Sequence, residues 1–181
     1  KRPNASNNLN NFTINTSDYN TANAPFLNVS YYDAINGKSY VGLRFTDIQI
    51  PSGASIKKAT LKMKAASNNN SGAIKISTES SSTVAEYTST NNNISSRTLN
   101  TNPITVNYTN WDANTTQSFD VTSLVQSKVG GTWCGGDSLG FVLQSDDALQ
   151  AYSFDSGSDN APYIEIELNQ GILNNACTRS T

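Results

Sequence analysis

Side chains able to do acid–base chemistry are scarce in this sequence of 181 residues. Histidine is absent, which removes the commonest general acid or base, the base of a serine triad and the usual ligand of transition metals. Glu165 and Glu167 stand two residues apart, so they would share one face of a strand, and a glycosidase needs a pair of carboxylates. Because they alternate with apolar residues, we expect both to face solvent and we expect no enzymatic activity.

Four aspartates near the end of the chain carry the hard oxygen ligands that calcium prefers. They fall in two polar segments, 145–147 and 155–160, and are Asp146, Asp147, Asp155 and Asp159. The same segments are typical of turns between strands, because Asp and Asn hydrogen-bond their own backbone. The sequence therefore leaves a structural calcium ion and a pair of turns open, and it indicates no other cofactor.

Aromatic rings beside polar side chains could bind a sugar, because a ring stacks on a sugar face while neighbouring polar groups hydrogen-bond its hydroxyls. Trp111 lies in a polar stretch and is followed by Asp112, which makes it the strongest candidate. Tyr108 and Tyr152 are further candidates. The alternative is that these rings belong to a core, as most aromatic residues in a β-sandwich do. Trp133, between glycines and a cysteine, is predicted to be buried.

The two cysteines, Cys134 and Cys177, form no CxxC unit and have no histidine nearby, so neither zinc binding nor thioredoxin-like chemistry is supported. A disulfide is their simplest use, and it would place the protein in an oxidising compartment, secreted or at the cell surface. Closing a loop of about 43 residues would add roughly 3–4 kcal/mol of stability. Two inert thiols are the alternative.

Eight Asn-x-Ser/Thr sequons occur along the chain, a number close to what the composition alone predicts. In a eukaryotic secretory pathway several would carry N-linked glycans and make the protein a glycoprotein, whereas in a bacterium they would have no such meaning. The sequons begin at Asn4, Asn11, Asn15, Asn28, Asn69, Asn93, Asn107 and Asn114.

Charge and hydropathy exclude two classes of partner. Charged residues make up 14% of the chain and the net charge is -2, so there is no basic face to bind the phosphates of a nucleic acid. No apolar run approaches the roughly 20 residues of a membrane-spanning helix.

Short strands must position these candidates. The length predicts one domain, 1–181, and period-two alternation predicts strands around 12–16, 26–31, 40–45, 54–66, 73–77, 104–108, 117–121, 138–144, 151–154 and 163–168. We expect 68–72 to close a hairpin between two of them and 78–102 to be a long surface excursion. One helix of about two turns is predicted after Asp120 or Thr122, ending at Gly130 and Gly131. The fold class is therefore all-β, a jelly-roll-like antiparallel β-sandwich with one short helix.

The segments Val41-Gly42-Leu43-Arg44-Phe45 and Ile50-Pro51-Ser52-Gly53-Ala54-Ser55-Ile56 resemble a known arrangement. Together with 119–125, 133–139, 151–153 and 161–164 they are similar to disaggregatase-related (DNRLRE-like) carbohydrate-binding-type β-sandwich modules. Such modules occur in secreted polysaccharide-active proteins and precede some pilus-tip adhesins. The resemblance covers residues 39 to 168 and implies a carbohydrate-binding role with, in some cases, structural calcium. The Asn-rich segment 1–25 and the tail 169–181 depart from it.

Two functions follow as expectations. The first is a non-catalytic extracellular module that binds polysaccharide or cell-surface glycan and so serves adhesion. The second is a structural subunit of an extracellular filament or glycoprotein coat, whose copies assemble when the segment around residues 12–16 adds a strand to a neighbour's sheet.

Overall fold

A computed structural model describes residues 13–14, 27–35, 38–88, 90–130, 133–147, 149–153 and 157–169. The described residues contain ten strands and one α-helix, joined by loops. The helix α1 is Thr122–Val129, and a single 3₁₀ turn covers Ser158–Asn160. The strands are β1 Thr13–Ile14, β2 Leu27–Ile35, β3 Lys38–Ile48, β4 Ile56–Lys64, β5 Gly72–Thr78, β6 Ile104–Tyr108, β7 Thr116–Asp120, β8 Asp137–Ser145, β9 Gln150–Ala151 and β10 Tyr163–Leu168.

Eight of the strands form two antiparallel sheets of unequal width. The larger sheet has the order β2-β3-β8-β5-β6, and the smaller has the order β10-β4-β7. This arrangement confirms the predicted all-β sandwich with one short helix, while the jelly-roll connectivity stays a prediction. The short strand β1 pairs in parallel with β9 of its own chain, Thr13 with Gln150 and Ile14 with Ala151.

The core lies between the two sheets. In β4 the apolar residues Ala59, Leu61 and Met63 are buried, and the alternate residues Lys58, Thr60, Lys62 and Lys64 lie on the outer side, as the period-two pattern predicted. β8 is buried along almost its whole length, because it is the middle strand of the larger sheet and is covered on both faces.

The expected hairpin between 54–66 and 73–77 is wrong. β4 belongs to the smaller sheet and β5 to the larger one, so residues 68–72 cross from one layer to the other. Within this crossing, Asn69 forms an antiparallel bridge with Trp111. Alternation shows that a strand has one buried face, but it does not identify the strand's hydrogen-bonded neighbour.

The outer face of the larger sheet is covered by residues 79–88 and 90–99, which we call the cover segment. Tyr87 and Ile94 of this segment form a second buried cluster with Val142 of β8. Two glycines make room for the contact. A Cβ at Gly42 would lie 2.6 Å from Cζ of Tyr87, and one at Gly140 would lie 2.8 Å from Cγ1 of Val84. The predicted excursion is therefore a packed layer.

Arg97 fastens the cover segment internally. Its guanidinium carbon lies 4.7 Å from the centroid of the Tyr87 ring, and Nη1 lies 3.4 Å from Oε2 of the buried Glu79. The same group donates to backbone carbonyls on both sides of the segment's turn, those of Asn93 at 2.8 Å, Ala85 at 3.2 Å and Glu86 at 2.8 Å.

The predicted helix is confirmed at 122–129, and its start is fastened to β4. Thr122 Oγ1 accepts a hydrogen bond from the Ala59 amide at 2.9 Å, and Gln126 Oε1 accepts one from the Ile56 amide at 2.7 Å. Asp120 Oδ1 accepts from the hydroxyl and the amide of Thr122, and these bonds lower the pKa of the Asp120 carboxyl.

Candidate ligand-binding face

Several of the residues singled out from the sequence lie close together at one end of the sandwich. The Tyr108 hydroxyl donates to Asp147 Oδ2 at 2.9 Å, and the Tyr152 hydroxyl donates to Asn114 Oδ1 at 3.1 Å. These bonds connect the end of β6 and the segment between β6 and β7 to residues on either side of β9. The structure therefore brings these predicted residues close together, and their role in binding stays a prediction.

Trp111 is a core residue, and its prediction as a sugar-stacking residue is wrong. Its exposed fraction is 0%. Its ring centroid lies 5.8 Å from the ring centroid of Tyr108 and 6.5 Å from that of Phe119. The indole N–H donates to the Gln150 carbonyl at 2.9 Å. The polar neighbours of Trp111 in the sequence belong to turns around it, so a ring enclosed on both faces offers no surface to a sugar.

Tyr108 is also structural, whereas Asp112 is exposed. Burial, together with the contact to Asp147, raises the pKa of Tyr108. Asp112 contributes its backbone carbonyl to a turn, where it accepts from the Thr115 amide and hydroxyl. Of the four predicted ligand-binding residues, Tyr152 and Asp112 therefore remain at the surface.

Two of the four aspartates proposed for calcium have other partners. Asp146 lies 3.0 Å from Nζ of Lys38, and Asp147 accepts from Tyr108. Asp159 is exposed and lies in the 3₁₀ turn, and Asp155 lies outside the described residues. Within the described ranges, no three acidic, cysteine or histidine side chains are grouped to hold a metal ion. Calcium binding stays a prediction.

A different set of residues forms an aromatic and basic surface on the outside of the smaller sheet. Tyr163 of β10 pairs with Lys62 of β4, and the Lys62 ammonium lies 5.5 Å from the Tyr163 ring centroid. Two residues further along β4, the Lys64 ammonium lies 5.7 Å from the Tyr152 ring and donates to Asn160 Oδ1 at 2.8 Å. We call these five residues the tyrosine–lysine face.

Tyr163 gives this face its aromatic character. It is 44% exposed, and it is the large apolar side chain that stands out as exposed among the described residues. The sequence indicated the basic side of β4 but missed Tyr163. Its ring meets Lys62 through the register between β10 and β4, and alternation in either strand does not reveal that register.

Glu165 and Glu167 lie on the same outer surface and are exposed, as predicted. Each is bound to a lysine of β4, with 2.8 Å between Glu165 and Lys62 and 3.1 Å between Glu167 and Lys57. The hydrogen bond with Glu165 raises the pKa of Lys62. The two carboxylates therefore form surface ion pairs with lysines of β4.

The remaining predicted sites are only partly within the described residues. Trp133 is buried as expected, its indole donating to the Ile50 carbonyl at 2.9 Å, and Cys134 is buried beside it. Cys177 lies outside the described ranges, so the disulfide stays a prediction.

The sequons differ in exposure. Asn107 and Asn114 are exposed, while Asn69 and Asn93 are half-buried. The side chain of Asn28 and the whole of Asn4, Asn11 and Asn15 lie outside what the structure describes. Glycosylation of any of these sites stays a prediction.

Comparisons with known proteins add no assignment. In the part of the chain that the structure describes, no helix has the length and apolar character needed to cross a bilayer. No protein-family model matches the sequence, and no curated protein matches it. The likeness to disaggregatase-related modules therefore depends on the sequence pattern quoted above and stays a prediction.

Proposed function

We propose that this chain is a non-catalytic extracellular module that binds polysaccharide or cell-surface glycan through the tyrosine–lysine face. The observation that carries the proposal is the exposed ring of Tyr163 beside Lys62, with Lys64 two residues further along the same strand. A ring of this kind supplies apolar area to a sugar, and amide and ammonium groups next to it can bind hydroxyl or carboxylate oxygens.

The geometry around the rings supports a binding role. Lys62 and Lys64 are held by Glu165 and Asn160, so a ligand need not order two flexible side chains when it binds. Tyr152 is fixed by its hydroxyl contact with Asn114. This pre-ordering reduces the entropy that binding would otherwise cost.

The proposal that the module is non-catalytic has separate support. Histidine is absent, and the closely spaced glutamates are exposed and paired with lysines. A glycosidase needs one carboxyl group with a raised pKa opposite a second one across the sugar. The Glu165–Glu167 arrangement offers two carboxylates on one wet surface.

Binding to arrays of polysaccharides tests the proposal. We expect Tyr163→Ala to weaken binding about tenfold or more, in line with the roughly 1.4 kcal/mol that one ring contact can contribute. The single variants Lys62→Ala and Lys64→Ala should each also weaken glycan binding relative to the parent protein. Lys75→Ala, a change to an exposed lysine of β5 in the other sheet, is the matched control and should bind like the parent protein. Binding unchanged in Tyr163→Ala, or no binding to any glycan by the parent protein, would overturn the proposal.

A further inference from the structure

The edge strand β6 differs from the other edges of the two sheets in its charge. No charged residue occurs between Arg97 and Asp112, so β6 and both its flanks are neutral. By contrast, β10 carries two glutamates, β7 ends on Asp120 and β2 contains Asp33. Charged residues on edge strands are a common protection against pairing between molecules, and β6 lacks this protection.

β6 is also regular and incompletely buried. It pairs with β5 over five residues without a register shift, and among the described strands it has no neighbour on its other side. Its inward residues Ile104 and Val106 pack against the core but stay half-buried, and its outward residues Thr105 and Asn107 are exposed. A further strand at this edge would complete the burial of the two apolar side chains.

We propose that β6 pairs with β6 of a second copy of this chain in an antiparallel arrangement that joins the two larger sheets into one. With Val106 on the two-fold axis, Ile104 lies opposite the partner's Tyr108, and Thr105 lies opposite the partner's Asn107. Aromatic with β-branched and polar with polar residues are favourable cross-strand pairs, and no like charges meet. The same pairing between two copies of β10 would bring glutamates together, which disfavours it.

The contact is small, and this determines its strength. A strand of five residues is about 17 Å long, and one strand pair buries less than the roughly 1,200–2,000 Å² of a stable interface. We expect a dissociation constant on the order of 100 µM. Such weak pairing becomes effective where many copies are held close together, as on a surface coat.

This inference is independent of glycan binding, because β6 belongs to the larger sheet and the tyrosine–lysine face to the smaller one. Sedimentation of the full chain, exported to a bacterial periplasm so that Asn107 stays unglycosylated, tests it over a range of protein concentrations. We expect the parent protein and Tyr163→Ala to form dimers to the same extent.

Charge substitution tests the register. The double variant Thr105→Lys, Asn107→Lys should raise the dissociation constant at least tenfold, and so should Thr105→Glu, Asn107→Glu. An equal mixture of the two should restore pairing, because each lysine then lies opposite a glutamate. Asn91→Lys with Ser96→Lys, which adds the same charge to exposed positions of the cover segment, should dimerise like the parent protein. A parent protein that stays monomeric at millimolar concentration, lysine variants that still dimerise, or a mixture that stays monomeric would each overturn the proposal.

Discussion

At the scale of single residues, Arg97 connects several parts of the cover segment. Its guanidinium makes bonds to three backbone carbonyls, stacks on Tyr87 and pairs with Glu79, and its side chain is 14% exposed. A planar group with five donors can satisfy carbonyls from both sides of a turn, and a lysine ammonium cannot reproduce this geometry. Arg97 therefore acts as the internal brace of a segment that has little regular secondary structure.

Replacing Arg97 should cost stability in proportion to the geometry that is lost. We expect Arg97→Ala to lower the free energy of unfolding by roughly 3 kcal/mol, because it leaves the Glu79 carboxylate buried without its cation. Arg97→Lys should cost less, because it keeps the charge but not the planar fork. Urea denaturation followed by tryptophan fluorescence measures both. If Arg97→Lys were as unstable as Arg97→Ala, retaining the charge would contribute nothing, and if both variants unfolded like the parent protein, neither the charge nor the planar fork would matter.

Trp111 shows why residue-level assignments from sequence can fail. The type of side chain and its polar neighbours suggested an exposed ring, but the ring packs against Phe119 of β7 and bonds to Gln150, which is 39 residues away in the sequence. Tyr163 is the opposite case, a ring that the sequence did not single out and that the structure exposes. Exposure depends on which elements pack together, and single-sequence patterns do not contain that information.

At the scale of elements, the cover segment and the larger sheet fit together through a glycine notch. Gly42 and Gly140 lie on neighbouring strands and receive Tyr87 and Val84. A β-carbon at Gly42 would contact three atoms of the Tyr87 ring at 2.6–2.9 Å, and a ring cannot shift as a flexible chain could. The notch therefore fixes where the cover segment sits on the sheet.

Filling the notch should loosen the cover segment. We expect Gly42→Ala to lower the free energy of unfolding by about 1–3 kcal/mol and to speed proteolysis of residues 80–99. In a Tyr87→Ala background the same change should cost almost nothing, because the clashing ring is absent. Gly135→Ala is the control, since a β-carbon there would meet its nearest neighbour at 3.7 Å. Additive costs in the double variant would show that the contact does not control the fit.

Patterns in the sequence predicted elements better than the relations between them. The helix at 122–129 and the wet, basic side of β4 were both predicted, because hydrophobic period is a local property. The predicted cap was wrong: Val121, and neither Asp120 nor Thr122, is the N-cap residue. The predicted hairpin was wrong, and the cover segment was predicted only as a long surface excursion. Its buried residues Val84, Tyr87 and Ile94 are too widely spaced to show a period, and their partners lie on β3 and β8.

At the scale of the whole molecule, two sheets of unequal width leave different surfaces open. The smaller sheet exposes the tyrosine–lysine face, and the larger sheet ends at the neutral edge of β6. Because these surfaces belong to different layers, ligand binding and self-association need not compete. A protein that uses both could hold a polysaccharide while its copies make weak contacts with each other.

The proposed disulfide is a property of the whole molecule, because it would tie the C-terminal tail to the buried Cys134. We expect thiol titration of the denatured, non-reduced protein to find no free thiol. Replacing Cys134 and Cys177 together by serine should lower the free energy of unfolding by roughly 3–4 kcal/mol, the chain-entropy value for a loop of this length. Reducing agent should lower the melting temperature of the parent protein but not that of the double variant. Two free thiols in the parent protein would contradict the pairing.

The glycine notch also has a consequence for the inheritance of this fold. A cover segment that inserts Tyr87 and Val84 can persist only while positions 42 and 140 lack side chains. Related proteins that lose the segment would no longer be under this constraint, and positions 42 and 140 on the larger sheet could then hold larger residues. The pair of glycines and the segment should therefore be gained and lost together among related sequences.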